Sequence, residues 1–264
     1  METVILSRPR PGVALLTLNR PQRYNAIDVE LDAAMNTLLA QLEQDDAVRC
    51  IAVTGAGTQA FCTGADIPTL LPKLRGDIEA GRDDAHLAGV THRNVTSKPL
   101  LAAVNGLALG GGLELALACD LRIASTNARF GLPEIKLGLL AAAGGVTRLP
   151  RSIPPALAAE MILTGEPIPA ERALQAGLVS RVVAPDALLA QALDLAETVA
   201  SRAPGALRAC TRLLRRARFE DLRGPLAEER AAFATLLQSP DGREGVAAFA
   251  EKRSPVWREG WPVA

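Results

Sequence analysis

The sequence predicts an α/β protein in which strands and helices alternate, followed by a helical C-terminal region. Three observations carry this expectation. Short runs rich in Val, Ile, Leu and Ala recur through the first 125 residues, between turn signals and helix-period segments, as parallel strands joined by crossovers require. The nearly uncharged stretch 100–119 is interrupted by Gly106 and by Gly110-Gly111-Gly112, which splits it into a strand, a turn and a buried helix. From Pro154 onward the periodicity is helical, and only 179–183 still reads as a strand.

The elements follow in order. Residues 4–7 and 13–18 are β-rich runs around Arg8-Pro9-Arg10-Pro11-Gly12, which predicts two strands and a turn. Asn19-Arg20-Pro21 ends the second. Residues 28–44 place Leu31, Ala34, Met35, Leu38, Leu39 and Leu42 at helical spacing, with Asp28 as N-cap. A buried strand is expected at 50–54, a loop at 59–67 and a polar surface helix over 77–97. A strand at 100–104, the glycine turn, a helix over 113–119 and a strand at 121–124 complete the alternating part. Helices are expected at 155–163, 170–176, 187–203, 205–218, 225–237 and 242–252. The chain divides on this reading into a core over 1–200 and a helical region over 201–264.

Composition excludes several classes. Of 264 residues, 29 are Lys or Arg and 29 are Asp or Glu, so the formal net charge is zero. A nucleic-acid or anionic-membrane binder wants a cationic surplus, and eight aromatic residues leave little for base stacking. The N-terminus lacks a basic start and long apolar stretch, and Glu114 inside the 100–119 segment is costly in lipid, so a soluble, cytoplasmic protein is expected. Cys50, Cys62, Cys119 and Cys210 form no CxxC pair, and His86 and His92 are spaced for no metal pair, so no metal is expected. With two histidines in all, acid–base chemistry falls to carboxylates.

The glycine cluster could carry that chemistry. A strand feeding Gly110-Gly111-Gly112 and then a helix exposes backbone N–H groups at the positive end of the helix dipole, where an anion or a developing oxyanion can bind. A tight turn that packs helix on sheet accounts for the glycines equally well. The dinucleotide fingerprint fails, because Ala108 or Leu115 stands where a glycine is needed. Glu114 sits in the first turn of the helix among Leu113, Leu115 and Ala116. Glu134 follows a Gly-Leu-Pro turn 20 residues on. Two carboxyls converging on one water would form an acid–base pair. The loop Phe61-Cys62-Thr63-Gly64-Ala65-Asp66-Ile67 could supply a second amide donor.

At this point a family resemblance enters. Leu18-Asn19-Arg20-Pro21 with Asn25-Ala26, the 61–67 loop, and above all Lys98-Pro99 through Cys119-Asp120 resemble the crotonase superfamily, the enoyl-CoA hydratase/isomerase family. Phe130-Gly131-Leu132-Pro133-Glu134, Ala143-Gly144-Gly145 and residues 248–253 continue the match over essentially the whole chain. The resemblance implies a spiral of ββα turns with C-terminal helices that assemble a homotrimer or a dimer of trimers, and an acyl-CoA thioester as substrate, with no separate cofactor. It places the oxyanion-hole amides on Ala65 and Gly111, and the two glutamates of hydratases on Glu114, as base, and Glu134, as acid. CoA contacts fall on Arg23, Tyr24, Ala26, Ala65, Asp66, Ile67 and Pro68, with Phe249 and Lys252 reaching a neighbouring subunit's CoA. Pro68 replaces a common Lys, and Leu139-Leu140-Ala141-Ala142-Ala143 replaces a Pro-Gly pair beside the acyl pocket. The implied activity is reversible syn hydration of a trans-2-enoyl-CoA. The alternative is a dehydratase resembling the carnitinyl-CoA enzymes, or an isomerase, acting on a specialised acyl-CoA.

Overall fold

The computed structural model describes residues 2–81, 87–89, 91, 96–218 and 223–257, side chains of 223–227 excepted. His86 and His92 lie outside them. Among the described residues, ten strands form two sheets. The larger has the order β1 (Val4–Arg10), β2 (Val13–Leu18), β3 (Cys50–Gly55), β5 (Leu100–Val104), β7 (Leu121–Ser125) and β10 (Arg181–Val183). All neighbours are parallel except the β1–β2 hairpin. The smaller sheet runs β4 (Ala60–Cys62), β6 (Leu107–Leu109), β8 (Arg129–Gly131) and β9 (Ile168–Pro169), with β4, β6 and β8 parallel. Each turn of the chain thus lays one strand in each sheet, β3 with β4, β5 with β6 and β7 with β8, and the turns stack as a spiral.

The inner strands β2, β3 and β5 of the larger sheet are buried on both faces, which is why they carry no polar alternation. Val13, Leu15, Cys50, Ala52, Leu101, Ala103 and Ile123 pack on α7 (Leu188–Ala200) through Leu188, Ala192, Leu193, Ala196 and Ala200. The intervening residues Ala14, Leu16, Ile51, Val53, Ala102 and Val104 point into the main core with α1 (Val29–Glu43). Asp28 caps α1 by accepting from the Leu31 amide at 2.8 Å, as its position predicts.

The corners between the sheets are held by asparagine side chains. Asn105 Nδ2 donates to the carbonyls of Gly55 and Gly57 at 2.9 and 2.8 Å, and its Oδ1 accepts from the Gly55 amide at 3.1 Å. One turn later Asn127 Nδ2 donates to Thr58 O at 3.0 Å. These amides satisfy main-chain groups that the sharp bend leaves outside the strand ladders.

Several expectations are corrected. β1 continues through Pro9, because it is an edge strand with an irregularity between Ser7 and Arg10, where a missing N–H costs no ladder bond. Residues 59–67 are not all loop, and the smaller sheet as a whole was not expected. Its strands are two or three residues long, too short to show a period. In place of a helix over 77–97, α2 spans Leu70–Glu79, with Leu70 and Leu74 turned to the core, and most of 82–95 lies outside the described residues. A further helix, α4 (Gly145–Ser152), stands where none was expected. α3 (Gly111–Ala118), α5 (Pro155–Thr164), α6 (Ala170–Gln175), α8 (Pro204–Ala217), α9 (Arg223–Gln238) and α10 (Pro240–Glu251) fall within a few residues of their expected ranges.

One ion pair docks the C-terminal helices on this frame. Arg215 of α8 forks onto Asp120, with Nε–Oδ1 at 2.8 Å and Nη2–Oδ2 at 2.6 Å, and also donates to the carbonyls of Thr96 and Lys98. Asp120 Oδ2 in turn accepts from the Leu100 amide at 2.9 Å. Arg215 is buried, so removal of its counter-charge strands a cation. Asp120→Ala is therefore expected to lower unfolding stability by about 3–5 kcal/mol, read as a shift in the urea-denaturation midpoint.

Candidate active site

Three parallel strands of the smaller sheet end side by side, and each delivers a different group. β4 leads to Thr63-Gly64-Ala65, β6 to Gly110 and α3, and β8 to Leu132-Pro133-Glu134. Pairing of Cys62 with Ala108, and of Leu109 with Gly131, sets these ends level. The Gly110 amide donates to Gly131 O at 2.9 Å, which ties the second and third ends together.

The first two ends are packed backbone on backbone. A Cβ on Gly112 would run into the Cys62 carbonyl, and one on Gly64 would stand 2.9 Å from the Gly111 nitrogen. Gly110 has φ +53° and ψ −127°, a conformation that needs glycine. As the first residue of α3, Gly111 has an N–H with no acceptor inside the helix. The Ala65 nitrogen lies 3.6 Å from where a Gly111 Cβ would stand. Ala65 itself is fixed by a bridge to Ile27, in which Ile27 N donates to Gly64 O at 2.7 Å and Asp66 N to Ile27 O at 2.8 Å. Two amides at a helix N-terminus thus sit close enough to bind one oxyanion.

Both glutamates reach this place. Glu114 is 3% exposed, and its Oε1 accepts from the Gly145 amide at 2.8 Å. Gly145 is the first residue of α4, so a second helix N-terminus holds the carboxyl. Burial pushes its pKa up to about 7, with a contribution from the nearby Glu134 charge, against the pull of the Gly145 and Ala143 amides and of Arg148. Burial also raises the pKa of Glu134. Glu134 Oε1 lies 2.6 Å from where a Cβ on Gly110 would stand, and its Oε2 is buried without a hydrogen-bond partner among the described residues.

The substrate-contact positions divide. Arg23, Tyr24, Ile67 and Pro68 are exposed and are brought together by the Ile27–Ala65 bridge. Ala26 gives its carbonyl to Arg20 Nη1 at 2.5 Å. The Asp66 side chain is 4% exposed and pairs with Arg20 Nη2 at 3.0 Å. Phe249 and Lys252 are exposed near the end of α10. Sequence reasoning missed Leu87, whose side chain lies over Gly111, and the amides of Ala143 and Gly145 that grip Glu114. The Ala-Gly-Gly block was visible, but glycine's part as an amide donor has no sequence signature. A cavity of about 480 Å³ is lined by Leu140, Ala141, Val146, Thr91, Thr147 and Arg148, among others, around the segment that carries the Gly145 amide.

The sequence model for enoyl-CoA hydratase/isomerase matches residues 8–260. The chain belongs to this family, within the crotonase superfamily. It is 42% identical to an (E)-benzylidenesuccinyl-CoA hydratase of Thauera aromatica over 246 residues, 93% of this chain and 95% of that one. It is 42% identical to the 2,3-dehydroadipyl-CoA hydratase of Escherichia coli strain K12, over 98% of this chain and 99% of the relative. The carnitinyl-CoA dehydratase of Proteus mirabilis is 38% identical over 94% and 96%. The crystal structure of an enoyl-CoA hydratase from Bacillus anthracis superposes with a TM-score of 0.88 at 35% identity, covering 97% of this chain and 98% of that one. The crotonase fold is therefore shared. Among the described residues, no helix is long and apolar enough to cross a membrane, and no group of three or more His, Cys, Asp or Glu could hold a metal ion.

The raised pKa of Glu114 links the site to stability. A carboxyl whose pKa is about 7 when folded and near 4.5 when unfolded holds its proton more tightly in the folded state. Its ionisation therefore costs stability increasingly from pH 4.5 to pH 7, and the full cost remains above that. Glu114→Gln removes the term and is expected to stabilise the protein by on the order of 3 kcal/mol at pH 8, an advantage that vanishes towards pH 4.5 in parallel denaturation series.

Proposed function

We propose that this enzyme is an enoyl-CoA hydratase that adds water reversibly and syn across a trans-2-enoyl-CoA thioester. The observation that carries the reading is the pair of buried carboxyls, Glu114 and Glu134, beside the paired amides of Ala65 and Gly111. Many chemistries can use the amides; addition of water needs a base and an acid together.

The thioester oxygen accepts from the Ala65 and Gly111 N–H groups. Glu114, ionised, takes a proton from water, and the water oxygen forms a bond to Cβ of the enoyl group. The electron pair of the double bond moves through Cα towards the thioester oxygen, where the two amides stabilise the enolate. Glu134, protonated, gives its proton to Cα as the electrons return. One proton enters the pair and one leaves, so the catalyst is restored after proton exchange between the carboxyls. The working state carries one proton on the pair, and mutual proximity of two buried carboxyls favours that state over double ionisation.

Exposed Arg23, Tyr24, Ile67 and Pro68 take the CoA portion, and the cavity takes the acyl chain. Thr91, Thr147 and Arg148 give that cavity polar walls, which favours the second reading, hydration or dehydration of a specialised acyl-CoA bearing a polar group. Exposed Phe233, Leu237, Val246 and Phe249 on α9 and α10 support a trimer or a dimer of trimers. The four free cysteines suit a reducing, cytoplasmic setting. The reaction as written needs no metal or redox cofactor, and chelator treatment is expected to leave turnover unchanged.

Turnover of a panel of trans-2-enoyl-CoA thioesters, crotonobetainyl-CoA included, tests the reading, and absence of hydration on every straight-chain member would overturn it. Glu134→Gln is expected to lower kcat by about 10²–10⁴-fold with thioester binding retained. In the intact enzyme kcat/KM should fall on the acid side as Glu114 takes up a proton, at a pH that burial lifts above the ordinary carboxylate range.

A further inference from the structure

The amides that hold Glu114 belong to a short stretch, 143–145, whose own support comes from one side chain. Arg148 Nη1 donates to the Ala143 carbonyl at 3.0 Å, and the Arg148 amide donates to Gly144 O at 2.8 Å. The guanidinium lies against Gly144, where a Cβ would run into Nη1, and Gly144 has φ +103°. Thr147 Oγ1 adds a bond to Gly144 O at 3.2 Å. The peptide groups on either side of Gly144 are therefore clamped from α4, and both neighbours, Ala143 and Gly145, turn their N–H groups to Glu114.

We propose that Arg148 is a positioning residue of the active site: by holding the Ala143 carbonyl and packing on Gly144, it fixes the two amides that orient the Glu114 carboxylate towards water. This rests on the hydratase reading given above. The charged groups that bear on Glu114 are Glu134, from the turn after β8, and Arg148, from α4; Arg218, at the end of α8, bears on Arg148 in turn. The Arg148 charge and the two amides both favour ionised Glu114, so loss of the clamp moves its titration upward. The preceding residues Leu139-Leu140-Ala141-Ala142 contain no proline to stiffen the chain.

Arg148→Met and Arg148→Lys decide the matter through the pH profile of kcat/KM on the best enoyl-CoA substrate. Arg148→Met is expected to shift the acidic limb upward by about 0.5–1 pH unit and to lower kcat about 10–100-fold, beside any change in KM that follows from the place of Arg148 in the cavity wall. Arg148→Lys keeps the charge without the fork and should fall between. An unmoved limb in a folded Arg148→Met variant would overturn the proposal, as would a loss confined to KM. If Arg148→Met does not fold, the limb of Arg148→Lys decides by the same criterion. A parent enzyme that hydrates no enoyl-CoA defeats the functional reading instead. In that case a carbon-13 NMR titration of the Glu114 carboxyl, assigned with Glu114→Gln, still tests the clamp, and an unshifted titration in both Arg148 variants overturns it.

Discussion

Everything at the site depends on how closely two stretches of main chain approach each other. The end of β4 lies directly against the first turn of α3, with the Cys62 carbonyl where a Gly112 side chain would be and Gly64 on the Gly111 nitrogen. No other residue type fits there, because the obstacle is backbone and cannot step aside. That contact brings the amides of Ala65 and Gly111 together. Register then does the rest. β6 and β8 pair in parallel, so the chain leaving β8 passes over Gly110 and sets Glu134 beside it. The chemical groups are thus one residue deep at the ends of three neighbouring strands, and a slip in either pairing would scatter them.

The electrostatics follow from the same packing. Glu114 is on a helix with no polar face to offer water: Leu113, Leu115, Ala116 and Leu117 are all buried with it. Its carboxyl is therefore expensive to ionise, and the Gly145 amide at the start of α4 offsets only part of that cost. The balance leaves a carboxyl that changes protonation near neutral pH, which a base working on water requires. Stability is spent for this, and the buried fork of Arg215 on Asp120 shows the opposite use of charge. There both carboxylate oxygens and all three guanidinium nitrogens find partners, and the pair ties α8 to the starts of β5 and β7.

The sequence displayed these two kinds of feature unequally. The long helices were legible because their apolar spacing repeats over several turns, and the inner strands of the larger sheet because they are buried on both faces and bounded by Gly, Pro or Asn. The smaller sheet was invisible, since strands such as Ala60–Cys62 and Leu107–Leu109 are shorter than any period and sit within glycine-rich turns. Glu114 stood out as a carboxylate among leucines. Glu134 was ambiguous, because convergence with Glu114 is a fact of register 20 residues apart. The inward turn of Asp66 was hidden, since its neighbour Ile67 and the glycine before Ala65 suggested a plain surface loop. Its partner Arg20 lies in a segment that reads as a strand terminus.

The wall of the cavity and the grip on Glu114 come from one segment. Leu140, Ala141 and Val146 present side chains to the cavity, whereas Ala143 and Gly145 act through their amides. Side chains at the first set can change size or polarity without touching the catalytic carboxyl, provided the backbone at 143–145 keeps its place. Gly144 and Gly145 cannot share that freedom. A Cβ at Gly144 meets the Arg148 guanidinium, and one at Gly145 would stand 3.0 Å from Glu114 Oε1. On the proposed function, acyl preference lies in side chains and the orientation of Glu114 in main chain, within a single run of about eight residues.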